Sequence, residues 1–298
     1  MKTLTLGGAI SLVLLLPAVQ AQEPVAEETL TPDEFITALD PQEGHISLPG
    51  GIAELNLPST FRYLSPDSTE TLLVEGWGNP PGNETLGMVI PTHINPLEQA
   101  GWGIVITYDE DGYVSDADAE EINYDELLGQ MKESSQQESD QRVEAGYGKM
   151  LLAGWAEPPR YEKDSHKLYW AQEFVTDYTE ENSLNYNIRV LGRQGVLVLN
   201  AVAGMNQIDR IREEMPRLLA VTEFTAGNRY EEFDASTDRV AEYGLAALVA
   251  GGVAAKMGLF TKFFALLLAF KKGIFIVGAA LVAGVSRWLG RNKNTPDV

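Results

Sequence analysis

Residues Ser183 to Gly204 read SLNYNIRVLGRQGVLVLNAVAG. In the first half Leu184, Tyr186, Ile188 and Val190 alternate with other residues, the two-residue period of a strand with one apolar face. The second half, GVLVLNAVAG, is almost wholly apolar, which suits a strand at the centre of a sheet. Gly192-Arg193-Gln194-Gly195 joins the two as a tight hairpin. An antiparallel pair is therefore the unit from which the rest is built.

Working outward, shorter runs carry the same signature. HISLPGGIAELNLP (45–58), FRYL (61–64), TLLVEGW (71–77), LGMVIP (86–91) and GWGIVITYDEDGYV (101–114) all read as strands. In the last, Ile104, Ile106 and Tyr108 share one face, and Asp111-Gly112 supplies a hairpin turn. The aspartates do not make an EF-hand loop, because counting from Asp109 puts Gly112 at position 4 and Tyr113 at position 5. Residues 150–182 continue the strand pattern.

Helices punctuate these runs. In TPDEFITALD (31–40) Thr31 is placed to cap, Pro32 fits the first helical position and Glu34 stands three residues after the cap. Phe35, Ile36 and Leu39 form its apolar face, and Pro41 stops it. Ile122, Leu127, Leu128 and Met131 give a partial helical stripe, followed by KESSQQESDQ (132–141), which extends a solvated helix or frays. MNQIDRIREEMPRLLAVTEF (205–224) reads as a helix with Ile208, Ile211, Leu218 and Leu219 inward, kinked or restarted at Pro216. The sum is an α+β fold, a mainly antiparallel sheet with a few packed helices, plus C-terminal membrane helices. GWGNPP (76–81) and GWAEPP (154–159) echo one another, and either a duplicated unit or shared turn chemistry accounts for that.

The chain has 298 residues, no cysteine and a net charge of −21. Residues 22–242 hold 42 of the 43 acids and 14 of the 22 bases, a net −28, while 243–298 carry +6. So acidic a body repels phosphate backbones and excludes nucleic acid as a partner. Without cysteine there are no disulfides, thiol chemistry or thiolate metal sites.

The ends address a membrane. Lys2, the apolar run Leu4–Leu16 and the small-residue site at Val19-Gln20-Ala21 form a secretory signal spanning 1–21. An uncleaved anchor fits less well, since the run is too short to span. Residues 22–43 are a polar stub and the short helix, 44–242 the extracytoplasmic α+β domain, and 243–298 a membrane anchor with a basic tail. Gly273 to Leu289 makes about 25 Å of helix and Gly244 to Phe270 about 40 Å. One arrangement has only 273–289 spanning, with 244–270 along the outer leaflet and the basic end in the cytoplasm. In the other both cross and Lys271-Lys272 turns between them. The first is favoured, because Lys256 and Lys262 are costly in a bilayer and a two-residue helical hairpin is tight. A buried helical hairpin in a soluble protein is disfavoured by apolar residues on every side.

Motifs for catalysis are sparse. Three histidines, His45, His93 and His166, show no zinc spacing, and neither a GxSxG elbow nor a P-loop occurs. The stretch worth probing is PPRYEKDSHKLYWAQEF (158–174). There His166, Asp164 and Ser165 are candidates for acid–base work. Tyr161, Tyr169 and Trp170 are candidates for a ligand-binding rim. The plainer reading is a histidine at a turn before a strand, with Trp170 in the core. Trp77, Trp102 and Trp155, each after a glycine, read as core.

GWGIVITYDEDGYVSDADAEEI, GYGKMLLAGWAEPPRYEKDSHKLYWA, LNYNIRVLGRQGVLVLNAVA and AEYGLAALVAGGVAAKMGLFTK together resemble DUF2167, a bacterial family of membrane-anchored proteins of unknown function. The resemblance covers roughly Gly44 to Lys272. The family pattern THxLxWA has Ser165 in place of its Thr, which keeps the hydroxyl. The resemblance implies a signal peptide, an extracytoplasmic domain and a C-terminal anchor in the bacterial inner membrane, with no known activity. The expectation is a periplasmic binding or interaction protein, its location suggesting envelope maintenance. No cofactor is expected, and the expected partners are the lipid bilayer and a membrane or periplasmic protein. The alternative is an extracytoplasmic hydrolase using His166 and nearby carboxylates.

Overall fold

The computed structural model describes residues 30–79, 81–144, 148–177 and 180–250. In chain order the regular elements are α1 (Pro32–Ala38), β1 (His45–Ser47), β2 (Ala53–Asn56), β3 (Phe61–Leu64), α2 (Pro66–Thr71), β4 (Gly87–Pro91) and β5 (Gly103–Asp109). There follow α3 (Tyr124–Glu144), β6 (Met150–Glu162), β7 (Lys167–Thr176), β8 (Ser183–Leu191), β9 (Val196–Gly204), α4 (Ile208–Ala220), β10 (Thr222–Phe224) and α5 (Leu245–Ala250). The fold is α+β, with antiparallel pairing between all the strands.

Seven strands form the main sheet in the order β3-β4-β5-β9-β8-β7-β6, so the apolar β9 holds the middle position. The β8–β9 hairpin closes as the sequence dictates, with Gly192 N–H donating to Gly195 O at 2.9 Å. Gly195 is required there, since a Cβ would stand 2.3 Å from Asp109 O. Leu184, Tyr186, Ile188 and Val190 point to one face and join Leu197, Leu199, Ala201, Phe61 and Trp102 in the main core. That face is covered by Ile211, Met215 and Leu218 of α4 and by the small sheet β1-β2-β10. Leu219's side chain lies outside the described residues.

The opposite face is covered in three parts, the smallest being Leu128 and Met131 of α3 on Met150, Leu152, Phe174 and Val202. Over β3–β5, Phe35, Ile36 and Leu39 pack with Leu72, Leu73 and Trp77 against Met88, Ile90 and Val105. Thr31 and Glu34 form the reciprocal cap that starts α1. Over β7–β9, Val114, Tyr230, Leu245, Leu248 and Val249 pack on Leu168, Trp170, Val196 and Val198.

Both sheet edges are closed. Gln42 exchanges backbone bonds with Tyr63 of β3. On β6, Ser135 and Ser139 of α3 accept from the N–H groups of Leu152 and Met150 at 2.9 and 3.1 Å. This is why the polar run 132–141 is a full helix: its serines, four residues apart, satisfy an edge that would otherwise stay unpaired. Further along β6, register shifts and the Pro158-Pro159 pair blunt the same edge.

Two sequence expectations are corrected and two open alternatives are narrowed. TLLVEGW is not a strand but the end of α2 followed by a π-helical turn over Leu72–Gly76. An apolar run of this length has no period of its own, and the cap at Ser65, accepting from Ser68 N–H at 3.2 Å, with Pro66 behind it, decides for helix. Asp111-Gly112 turns the chain but makes no hairpin, because β4 and β9 already flank β5. The chain instead leaves the sheet, and Tyr113 exchanges backbone bonds with Arg239 and Ala241, both at 2.8 Å. Gly112, at φ +98°, allows that approach, since a Cβ would meet Arg239 O at 2.6 Å. Helix α4 runs through Pro216 without a break; Pro216 and Arg212 are exposed, so the carbonyl that loses its partner is on the water side. GWGNPP and GWAEPP are not copies of one unit, for the first ends a helical turn and the second lies inside β6.

Among the described residues no helix is long and apolar enough to cross a membrane. The signal peptide expected at 1–21 and nearly all of the anchor expected at 243–298 lie outside the described residues. Residues 243–250, the start of that expected segment, pack onto the domain.

Candidate functional site

His166 ends the turn between β6 and β7 and holds a left-handed backbone, φ +52°. For a residue with a Cβ this conformation costs on the order of 1 kcal/mol or more, so its surroundings must hold it. They do so from three directions. Its carbonyl accepts from Leu191 N–H at 2.9 Å. Its ring lies against Tyr230, with centroids 4.1 Å apart. Its Nδ1 stands 3.2 Å from the Tyr161 hydroxyl.

Tyr161 gives that contact a direction. Its O–H donates to Asp116 Oδ2 at 2.8 Å. The phenol hydrogen is thereby used, so the oxygen accepts from His166 and Nδ1 carries a proton. In neutral imidazole the free lone pair is then on Nε2. Burial, and the hydrogen bond to Asp116 after it, push the Tyr161 ionisation far above the ordinary tyrosine range, so the phenol stays protonated. Asp116 Oδ2 is also 3.9 Å from His166 Nδ1.

Tyr230 ties this trio to the rest of the domain. Its hydroxyl accepts from Asp116 N–H and donates to Val114 O, both at 3.1 Å. Tyr113 stacks on Tyr230 at 4.5 Å, and Phe233 stacks on Tyr113 at 3.9 Å. A row of four rings, His166, Tyr230, Tyr113 and Phe233, thus joins the β6–β7 turn to the segment after β5 and to the loop after β10. Two residues beyond Asp116, Asp118 accepts from Leu245 and Ala246 N–H at 3.2 and 3.4 Å, capping α5.

Of the sequence candidates, the structure brings His166 and Tyr161 together. Asp164 is exposed, and Ser165 donates to Glu162 Oε2 at 3.2 Å. Tyr169 also donates to Glu162, with the Arg160 guanidinium 4.2 Å over its ring, on the other face of the β6–β7 pair. Trp170 is 2% exposed and packs in the core with Arg189 above it. Asp116 and Tyr230 were beyond sequence reasoning: each is dozens of residues from His166, with no local pattern to mark it. His45 Nδ1 is 2.9 Å from Asn56, and His93 lies 3.9 Å from Glu214. Among the described residues no group of three His, Cys, Asp or Glu could hold a metal ion.

Fold and site together define an α+β domain built on an antiparallel sheet, whose aromatic row fixes the segment that leads to the C-terminal apolar stretch. The chain belongs to the family described as "Protein of unknown function (DUF2167)", which matches residues 40–282. No curated protein matches it. Three solved structures are similar to it at low level. PsbP (CyanoP) from Synechocystis sp. PCC 6803 is 9% identical, covers 61% of this chain and 91% of its own, and has a TM-score of 0.34. A mutant of the protein Mog1 is 10% identical over 61% and 95%, at 0.32. The Saccharomyces cerevisiae Ran-binding protein Mog1p is 10% identical over 65% and 100%, at 0.31.

Proposed function

We propose that this chain is an exported binding or interaction domain held at the bacterial inner membrane, with a protein partner in the membrane or periplasm. One observation carries the reading. Leu245, Leu248 and Val249, the opening of the apolar C-terminal stretch, are buried in the same cluster as Val114, Trp170 and Tyr230. Among the described residues no free linker precedes that stretch, so an anchored domain would present a set face to whatever it meets at the bilayer. A cysteine at Thr295 and a control cysteine at exposed Asp164 test it, since the native chain has none. In spheroplasts, an impermeant maleimide labels the control and spares position 295 if 273–289 spans. Labelling of both would place the tail outside, and labelling of neither would deny export.

A second reading, an extracytoplasmic hydrolase, is favoured by the Asp116–Tyr161–His166 relay, which leaves Nε2 free as a base. In it His166→Ala abolishes turnover, whereas an interaction domain keeps its partner through the same change.

A further inference from the structure

One face of the sheet buries a patch of carboxamides that the packing does not explain. Asn187 lies directly across from Trp170 on β7 and Asn200 on β9, and Asn185 directly across from Gln172. These five side chains share the face opposite the main core, where Val105, Val198 and Val202 mark the three apolar clusters that adjoin there. Asn185 and Asn200 are 1% and 2% exposed. Asn187 Nδ2 donates to Gln172 Oε1 at 3.1 Å. But Nδ2 and Oδ1 of both Asn185 and Asn200, and Nε1 of Trp170, have no hydrogen-bond partner among the described residues. Buried polar atoms are almost always paired, and five orphans on three adjacent strands require a reason.

We infer that this patch is a binding site for a neutral amide, the main chain of a peptide. The orphaned atoms choose the chemistry. An anion would satisfy Nδ2 and Nε1 but leave both Oδ1 atoms bare, and a cation would do the reverse. An amide brings N–H and C=O together, the complement of a carboxamide. Asn185, Asn200 and Trp170 are closed from water, with only Gln172 partly exposed, so loading requires the chain over that face to part, and binding is slow. None of the orphaned atoms belongs to the His166 cluster, although Trp170 shares its apolar cluster with Tyr230 and α5.

The test uses the full chain in detergent, the blocked dipeptide N-acetyl-glycyl-glycine methylamide as probe, and glucose as a hydroxyl-bearing control. After long equilibration at millimolar probe, the thermal midpoint of the wild type is expected to rise by roughly 2–4 °C. The Asn185→Leu/Asn200→Leu variant, which replaces unpartnered polar groups by apolar ones of similar size, is expected to melt no lower than wild type and to lose the probe-induced rise. Asn200→Ala, which adds no bulk, gives the same readout if the double variant does not accumulate. The inference is overturned if the probe leaves the wild type unmoved, which is the result for buried water alone. It is also overturned if the rise persists in the variants, if glucose gives the same rise, or if both variants melt well below wild type without probe.

Discussion

The Tyr161 hydroxyl donates to Asp116 Oδ2 at 2.8 Å across a sequence separation of 45 residues. That bond joins the β6–β7 turn to the segment that carries Asp118, the cap of α5. Tyr161→Phe keeps the ring and removes only the bond. With a charged but partly exposed acceptor, the loss is expected to be about 1–2 kcal/mol in urea denaturation. The same change takes the acceptor from His166 Nδ1–H, so the imidazole 15N shifts should move towards a mixture of tautomers. Unchanged shifts would mean that Tyr161 does not set the tautomer.

Asp118 accepts from two N–H groups at the start of α5. Asp118→Ala should cost about 1 kcal/mol, the usual worth of such a cap. Gly244→Ala should act alike, because its Cβ would fall 2.6 Å from Asp118 Oδ2. Limited proteolysis then gains a site near 243–250. Resistance equal to wild type would show that α5 is held by its apolar face alone.

Ser135 and Ser139 are the reason a helix of mostly polar residues lies along β6. Ser135→Ala and Ser139→Ala each leave a buried N–H unpaired, at about 1–3 kcal/mol apiece. Amide exchange at Leu152 should accelerate in the first variant and at Met150 in the second. Exchange that rises equally at both positions in either variant would indicate fraying of α3 as a whole.

Those serines mark where sequence reading stopped. The β8–β9 hairpin and the α1 cap are written locally, in a two-residue period and in Thr31-Pro32…Glu34, and both stand as read. The fate of 132–141 depends on an edge strand that does not yet exist in sequence. At Leu72–Gly76 the apolar run reads as a strand, and the cap that decides for helix lies upstream at Ser65. At Asp111-Gly112 the turn was legible but not its destination, because the neighbours of β5 come from elsewhere in the chain. His166 and Tyr161 are close in sequence and were found together. Asp116 and Tyr230 reach them only through the fold, and sequence proximity offered Asp164 and Ser165 in their place.

Acid should loosen the loop after β10 before it opens the sheet. Arg193 grips Asp238 with Nε and Nη2 at 2.7 and 3.0 Å. That hydrogen bonding lowers the Asp238 carboxyl from its ordinary 3.8 to about 2. A carboxyl depressed in the folded state contributes stability that is whole above the unfolded value and is lost as pH falls from about 3.8 towards about 2. Asp238→Asn should flatten the pH dependence of stability in that window. A slope unchanged from wild type would assign the acid sensitivity to other carboxylates.

The central claim is that residues 229–250 belong to the folded domain and fix it against the apolar stretch that follows. Hydrogen exchange on the full chain in lipid nanodiscs tests this most directly. Ala241 N–H, bonded to Tyr113 O at 2.8 Å, and Leu248 N–H, in buried α5, are the amides to follow. The account predicts that both exchange within the slow class defined by β8 and β9. Exchange of both at the rate of an unprotected chain, while β8 and β9 stay slow, would contradict it, for the domain would then hang from a free tether.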